Sequence, residues 1–453
     1  MRGDETSEPV AARGRPAARA HEWRARGALI LRGVLVAVVL LVALIGFLFI
    51  TRGTAVQHVR GVGTDGSPVA PAEAQFPLSV AVLTGTVLTE GNRVEIALDG
   101  DGTFPRLWDD LRAARRSITI QNYYGKAGQV ADTLRRILAE RAAAGVRVFV
   151  LYDAFGTQAI SAADRAAFRA AGIIAVPFRP LRLSTLWVIQ NRSHVRGVVI
   201  DGRVGWTGGF GIDDKWLGDG HTAGGWRDTN VRFEGPAVLA LQAAFAAAWT
   251  EATGEMVSGR ASKVVPYGEG DVTAGTLNAA PTLGSTVAER FLALSIAGAR
   301  KTLYITNSYF APDEHFVRLL TEAARRGVDV RLLVGGPRTD VRLAWRAGRA
   351  RYDALLAAGV RVYEWQPTTL HAKTLVVDGL WSSIGTMNFD NRSLVLNDEV
   401  ALLVLDTAIG ARMNAIFLND LQHATEITAE RFAMRSLAAR LIEQGANLLT
   451  RVL

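Results

Sequence analysis

The sequence predicts an α/β fold of two pseudo-repeated halves, each a mixed sheet flanked by helices, with the functional site at their interface and one N-terminal transmembrane helix. Three observations predict it. Strand-like and helix-like segments alternate from about residue 92 onward, the pattern of a parallel or mixed sheet with helices on its faces. Two stretches resemble each other, His194-Val195-Arg196-Gly197-Val198-Val199-Ile200-Asp201-Gly202 and His371-Ala372-Lys373-Thr374-Leu375-Val376-Val377-Asp378-Gly379. Finally, Gly33 to Ile50 is an uncharged, unbroken apolar run.

Composition narrows the chemistry. A chain of 453 residues suits about two to three domain-sized units. A net charge of +8 favours anionic partners, lipid headgroups or nucleic acid among them. The absence of Cys excludes disulfides, thiolate zinc sites and Cys nucleophiles.

In chain order, residues 1–32 read as a disordered Arg-rich tail, with seven Arg against four acids and no apolar period. Residues 33–51 read as a transmembrane helix. The apolar run lies between Arg32 and Arg52 and spans about 27 Å, enough for a bilayer core. It is long for a signal peptide, and no small-x-small cleavage site follows it cleanly. The Arg-rich flank comes first, so the positive-inside rule puts the N-terminus in the cytoplasm and the remainder outside. Phe76 to Leu83 is too short for a second span, and residues 52–87 read as a linker.

Residues 88–253 form the first half. Strands are expected at Val94 to Leu98, Ser117 to Tyr124 and Val146 to Asp153, with helices at Phe104 to Arg116 and Gln129 to Ala144. Residues 254–284, rich in Gly, Ser and Thr, read as an inter-half linker. Residues 285–453 form the second half, where Ala299 to Asn307 echoes Ala114 to Asn122. Its end, Ile427 to Leu453, reads as an amphipathic helix, with Phe432, Leu437, Leu441, Leu448 and Leu449 among Arg431, Arg435, Arg440 and Arg451. Such a helix packs on the core or lies on a membrane surface.

Both histidine stretches close on an Asp-Gly turn, where Asp201 and Asp378 are expected to fix hairpin geometry. Strand alternation puts His371 and Lys373 on one face. Two apposed His–cation pairs suit a phosphodiester. One imidazole attacks, the other protonates the leaving group and then deprotonates the acceptor, and the cations hold the non-bridging oxygens. No metal-ligand spacing is present, so no metal or cofactor is expected. Orienting carboxylates are expected after each stretch, Asp228 in Trp226-Arg227-Asp228-Thr229 and Glu399 in Leu396-Asn397-Asp398-Glu399. In Ile384-Gly385-Thr386-Met387-Asn388, Gly385 allows close backbone approach, and Thr386 and Asn388 offer hydrogen bonds to phosphate. Trp226 and Trp381 read as core. Leu181 to Ile189 reads either as a membrane-dipping loop or as an internal strand.

From about residue 88 to 450 the chain resembles the phospholipase D superfamily, whose signature is His-x-Lys-x4-Asp followed by Gly-Ser-x-Asn or Gly-Gly-x-Asn, present twice. His371, Lys373, Asp378, Gly385, Thr386 and Asn388 match the second copy, with Thr in place of Ser. Asp99-Gly100-Asp101, Leu151-Tyr152-Asp153-Ala154-Phe155-Gly156, Thr207-Gly208-Gly209-Phe210 and Trp381-Ser382-Ser383-Ile384-Gly385 make it most similar to the bacterial cardiolipin synthase branch. The resemblance implies a phosphatidyltransferase in the bacterial cell membrane, converting two phosphatidylglycerols to cardiolipin and glycerol, with no nucleic acid as partner. It implies a phosphatidyl-histidine on His194, with His371 as general acid and base. It further implies that Glu399 supports His194, that Asp228 supports His371, and that Arg196 and Lys373 bind phosphate. The first copy departs from the signature at Arg196, in place of Lys, and at Gly211, in place of Asn. A lost donor of this kind costs about 2.7–4 kcal/mol in an oxyanion hole. Hydrolysis of phospholipids, or lipid binding with attenuated catalysis, are therefore the alternatives.

Overall fold

Alternating and fully apolar runs give seventeen strands among the described residues. In chain order these are β1 Thr89–Leu98, β2 Ser117–Asn122, β3 Arg147–Asp153, β4 Ile174–Phe178, β5 Gly197–Ile200, β6 Val204–Gly208, β7 Trp226–Arg227, β8 Thr229–Glu234 and β9 Val272–Ala279. They continue as β10 Thr302–Asn307, β11 Asp329–Val334, β12 Arg361–Trp365, β13 Thr369–Leu370, β14 Lys373–Val377, β15 Trp381–Gly385, β16 Glu399–Leu405 and β17 Ala424–Ile427. The computed structural model describes residues 16–52, 55–61, 66–123, 125–157, 162–182, 188–222, 224–258, 269–282 and 284–450.

Fifteen strands join one sheet, and β7 and β13 pair separately. At its middle β1 lies beside β9. Outward from β1 the order is β8-β6-β5-β2-β3-β4, and outward from β9 it is β16-β15-β14-β10-β11-β12, with β17 at that edge. The two series match position for position, so the sequence repeat has a mirrored counterpart in strand order. β2–β3–β4 and β10–β11–β12 are parallel, as strand–helix–strand crossovers such as Gln129–Ala143 and Glu314–Arg325 require. β2 is buried on both faces, as a parallel strand covered by helices should be.

The halves share this sheet instead of each closing its own. Part of the expected inter-half linker, Val272–Ala279, is the strand that joins them: β9 pairs antiparallel with both β16 and β1. Small residues such as Ala274, Gly275 and Thr276 fit between close neighbours where a flexible reading of Gly and Thr misses a strand. At the register shift opposite β9, buried Asn92 donates to Val272 O (3.2 Å) and accepts from Ala237 N (2.9 Å). Packing is continuous too. Val195, Val231 and Phe233 share one apolar cluster with Val376, Ile384 and Leu402.

Three further expectations change. A helix spans Pro16–Arg52, so residues 16–32 are helical and not a disordered tail. Ala, Arg and Glu there are strong helix formers that extend a helix already nucleated by the apolar run. Residues 1–15 lie outside the described residues. Within that helix Arg26–Leu44, at mean hydropathy 2.7, is long and apolar enough to cross a membrane. This N-terminal unit, to Gly53, and the unit Thr54–Leu453 are compact separately. The expected linker 52–87 contains a helix, Phe76–Thr84, whose Phe76 and Val80 enter the core of the second unit. Lastly, the C-terminal stretch is not one helix. β17 ends at Ile427, and Thr428 and Ser436 then cap two separate helices, Ala429–Ala433 and Leu437–Asn447.

Candidate active site

Both histidines stand just ahead of a strand of the sheet, at corresponding places in the two series. His194 precedes β5, and His371 lies between β13 and β14. Each is fixed by the other half of the chain. His194 N–H donates to Asp398 O (2.9 Å), and His371 N–H donates to Arg227 O (2.7 Å). In both cases the acceptor is the residue before a carboxylate. The side chains then follow the backbone: His194 Nδ1 lies 2.9 Å from Glu399 Oε1, and His371 Nδ1 lies 3.1 Å from Asp228 Oδ2. The carboxylates cross over between the halves. Arg227 holds one crossing in place through Asp420 at 2.7 Å.

Each carboxylate has a further donor. Asp228 accepts from Trp216 Nε1 (2.9 Å) and from Thr229 N (2.8 Å). Glu399 accepts from the Thr386 hydroxyl. Burial pushes Glu399 up to about 7 and Asp228 up to about 6. It also holds both imidazoles well below 6.5, helped by the cations Arg196 and Lys373. Nδ1–H donated to a carboxylate leaves Nε2 as the unprotonated nitrogen of each ring, which at His194 meets the Arg196 guanidinium.

That cavity measures about 540 Å³, and His194, Arg196, His371 and Asn388 line it together. Arg196 Nη1 lies 3.0 Å from His194 Nε2. Asn388 lies with its carbonyl oxygen held by the Ser308 hydroxyl (2.9 Å). Lys215, Trp226, Tyr309 and Arg392 also line the cavity, and sequence reasoning did not single out Lys215, Tyr309 or Arg392 for it. Arg392 stands four residues after Asn388, a spacing with no distinctive pattern. Trp226, expected in the core, lies tilted beside His371 with ring centroids 5.0 Å apart, whereas Trp381 is fully buried.

Two expected phosphate ligands are placed elsewhere. The Thr386 hydroxyl is buried behind His194, on Glu399. Lys373 donates its ammonium to His371 O and is not among the described residues lining the 540 Å³ cavity. Burial lowers Lys373 to about 7, and its charge still acts on His371.

Asp201 and Asp378 are far from any substrate role in their contacts. Asp201 accepts from the backbone N–H groups of Arg115, Arg116 and Ser117 at 2.7–2.9 Å, where β2 starts. Asp378 does the same for Arg300, Lys301 and Thr302 at 2.7–3.0 Å, where β10 starts. Gly208 ends β6 and Gly385 ends β15. Gly209 is required by close approach, since a Cβ there would stand 2.3 Å from Asp228 Oδ1. Of Leu181 to Ile189, residues 183–187 lie outside the described residues.

Gly211 has a structural counterpart. A Cβ at that position would stand 2.6 Å from the Trp216 ring. The indole thus fills the space beside Gly211 and supplies Asp228 with a donor.

The family model described as a cardiolipin synthase, PLD-like domain, matches residues 292–421. The chain is 36% identical over 412 residues to the cardiolipin synthase of Geobacillus kaustophilus, covering 88% of this chain and 80% of that relative. It is 33% identical over 374 residues to that of Halalkalibacterium halodurans, covering 82% and 74%. Its fold is similar to the crystal structure of phosphatidylserine synthase from Haemophilus influenzae Rd KW20, with TM-score 0.61 at 14% identity over 83% of this chain and 99% of that one. With identity of this order along most of its length, and with paired histidines facing one cavity, the chain belongs to the cardiolipin synthase family of the phospholipase D superfamily.

Proposed function

We propose that the protein is a membrane-anchored phosphatidyltransferase that makes cardiolipin from two phosphatidylglycerols. The observation that carries this reading is the pair of crossed His–carboxylate contacts, with both imidazoles lining one cation-bearing cavity. His194 Nε2 attacks phosphorus of the first phosphatidylglycerol. The bond from phosphorus to the glycerol oxygen breaks, and His371, which takes up a proton at Nε2 when the phosphodiester anion binds beside it, gives that oxygen the proton. His371 then takes the proton from the terminal headgroup hydroxyl of a second phosphatidylglycerol. The resulting oxygen attacks phosphorus, the P–N bond breaks, and His194 is restored.

Arg196 and Arg392 are the phosphate ligands in this reading, with Asn388 as a neutral donor. Glu399 and Asp228 hold the two imidazoles and stabilise whichever becomes charged. Arg is a planar fork that meets two oxygens at once, so Arg196 suits a phosphodiester as a bidentate ligand. Transfer without a metal follows from this chemistry, because the cations and donors present supply the charge stabilisation that the displacement needs.

The test uses purified full-length protein in phosphatidylglycerol vesicles, with the lipids separated by chromatography. Cardiolipin and glycerol are expected in equal amounts, and His371→Ala should abolish both. Phosphatidic acid as the product would mean that water is the acceptor. Wild type indistinguishable from His371→Ala would mean that the cavity binds lipid without turning it over.

A further inference from the structure

The C-terminal helix Leu437–Asn447 is inverted relative to a helix of a water-soluble surface. Leu437 is 73% exposed and Leu441 63%, and just past the helix Leu448 is 82% exposed. These positions fall along one stripe at helical spacing. The single acid of the helix, Glu443, is 1% exposed instead, turned inward to Arg349 (2.9 Å) and Arg435 (2.8 Å). Ala446 likewise faces in, against Ala347 and Ala311. A helix that buries its carboxylate and presents leucines outward has its orientation fixed by two part-buried ion pairs, not by shielding its own apolar face. Met434 and Ile442 add to the exposed apolar surface.

We infer that this stripe is a lipid-contacting surface, seated in the headgroup region of an anionic bilayer. The charge beside the stripe selects a bilayer over a protein. The exposed cations Arg431 and Arg440 outnumber the exposed acid of the same stretch, Glu430, because Glu443 is turned inward. Anionic headgroups neutralise that excess while the leucines enter the apolar layer. An interfacial helix lies in the membrane plane with leucines inserted about 5–10 Å and arginines at headgroup level, and the exposed leucines and flanking arginines here fit that arrangement.

The surface is coupled to the cavity. Leu437–Asn447 packs on the helix Arg342–Arg349 through Glu443–Arg349 and Ala446–Ala347. On that second helix Ala344 lines the cavity, as does Val341 just before it, and Leu343 is exposed. One helix therefore carries cavity wall on one side and the lipid-contacting helix on another. A phospholipid reaching the histidines passes from bilayer to cavity along this part of the fold. The inference does not depend on which reaction the cavity performs.

The chain contains no Cys, so single cysteines can be labelled without background. The full chain, reconstituted in phosphatidylglycerol vesicles, carries a polarity-sensitive fluorophore at Leu437→Cys, Leu441→Cys, Leu448→Cys or Gln444→Cys in turn. Asp109→Cys, on an exposed site of the helix Asp99–Ala113, is the reference. Blue-shifted emission and strong quenching by spin-labelled lipid are expected at the four C-terminal positions, with neither at Asp109→Cys. Four positions on one face give the same reading even if one variant misfolds. Emission matching the reference, with no lipid quenching, would place the stripe in water and overturn the inference. A blue shift without lipid quenching, together with cross-linking between copies through the same cysteines, would make it a protein interface and overturn it equally.

Discussion

At the scale of single residues, the two histidines are chemically distinct from free imidazole because burial and nearby cations disfavour their charged forms. The sign of the consequence is fixed. A lowered value keeps His194 neutral at pH 6.5, so the acid limb of kcat/KM, which reports the free enzyme, should fall below that pH. Half-loss of kcat/KM at or above pH 6.5 would contradict it. A bound phosphodiester anion favours the imidazolium form of His371 and raises it, so the basic limb of kcat should lie at higher pH than that of kcat/KM. Gly211 gives a second expectation. Asn there would drive its Cβ into the Trp216 ring, which is wedged against Trp226 and His371, and would break the indole's bond to Asp228. Gly211→Asn alone should therefore lower turnover about 10- to 150-fold, the equivalent of about 1.5–3 kcal/mol for a hydrogen bond to a charged group. Gly211→Asn with Trp216→Ala should recover part of it. An active single variant would show that the indole moves freely.

At the scale of elements, the Asp-Gly turns do structural work that their place in the signature does not announce. Each Asp sits at positive φ, 56° for Asp201 and 54° for Asp378, and closes its hairpin. Its carboxylate also collects three N–H groups from the start of a strand far away in sequence. Asp378→Ala should lower unfolding stability by about 1–3 kcal/mol, measured by denaturant titration in detergent. Turnover per folded molecule should be retained, and a loss of turnover at unchanged stability would assign the carboxylate to the chemistry instead. The hairpin was legible from Asp-Gly alone. The bond to β10 was not, because a short sequence motif carries no record of partners 76 to 78 residues away. Long strongly periodic elements, such as β3 and the helix Gln129–Ala143, were legible to within a residue or so. β9 was not, because Gly and Thr in a central strand serve close packing and look locally like a linker.

At the scale of the whole molecule, the repeat is combined into one sheet, and the active groups come from both series. Neither half holds a complete site: His194 takes its carboxylate from β16, and His371 takes its own from the turn between β7 and β8. The anchor Pro16–Arg52 carries an Arg-rich N-terminal flank, which under the proposed function leaves the unit Thr54–Leu453 outside the cytoplasm. Protease added to spheroplasts should then digest that unit while a tag at residue 1 survives. Full protection of the unit, with digestion only after lysis, would reverse the orientation.

The sequence by itself determined the family, the paired histidines, the carboxylates Asp228 and Glu399 and an apolar N-terminal helix long enough to cross a membrane. Each is written in local residue chemistry or in a spacing that repeats along the chain. Only the tertiary structure decided how these parts divide the work. It turned Thr386 onto Glu399 and Lys373 onto a carbonyl, and it put Trp216 into the space beside Gly211. The physical reason is that these side chains are aimed around the crossed contacts His194–Glu399 and His371–Asp228, whose partners lie 205 and 143 residues apart in the chain.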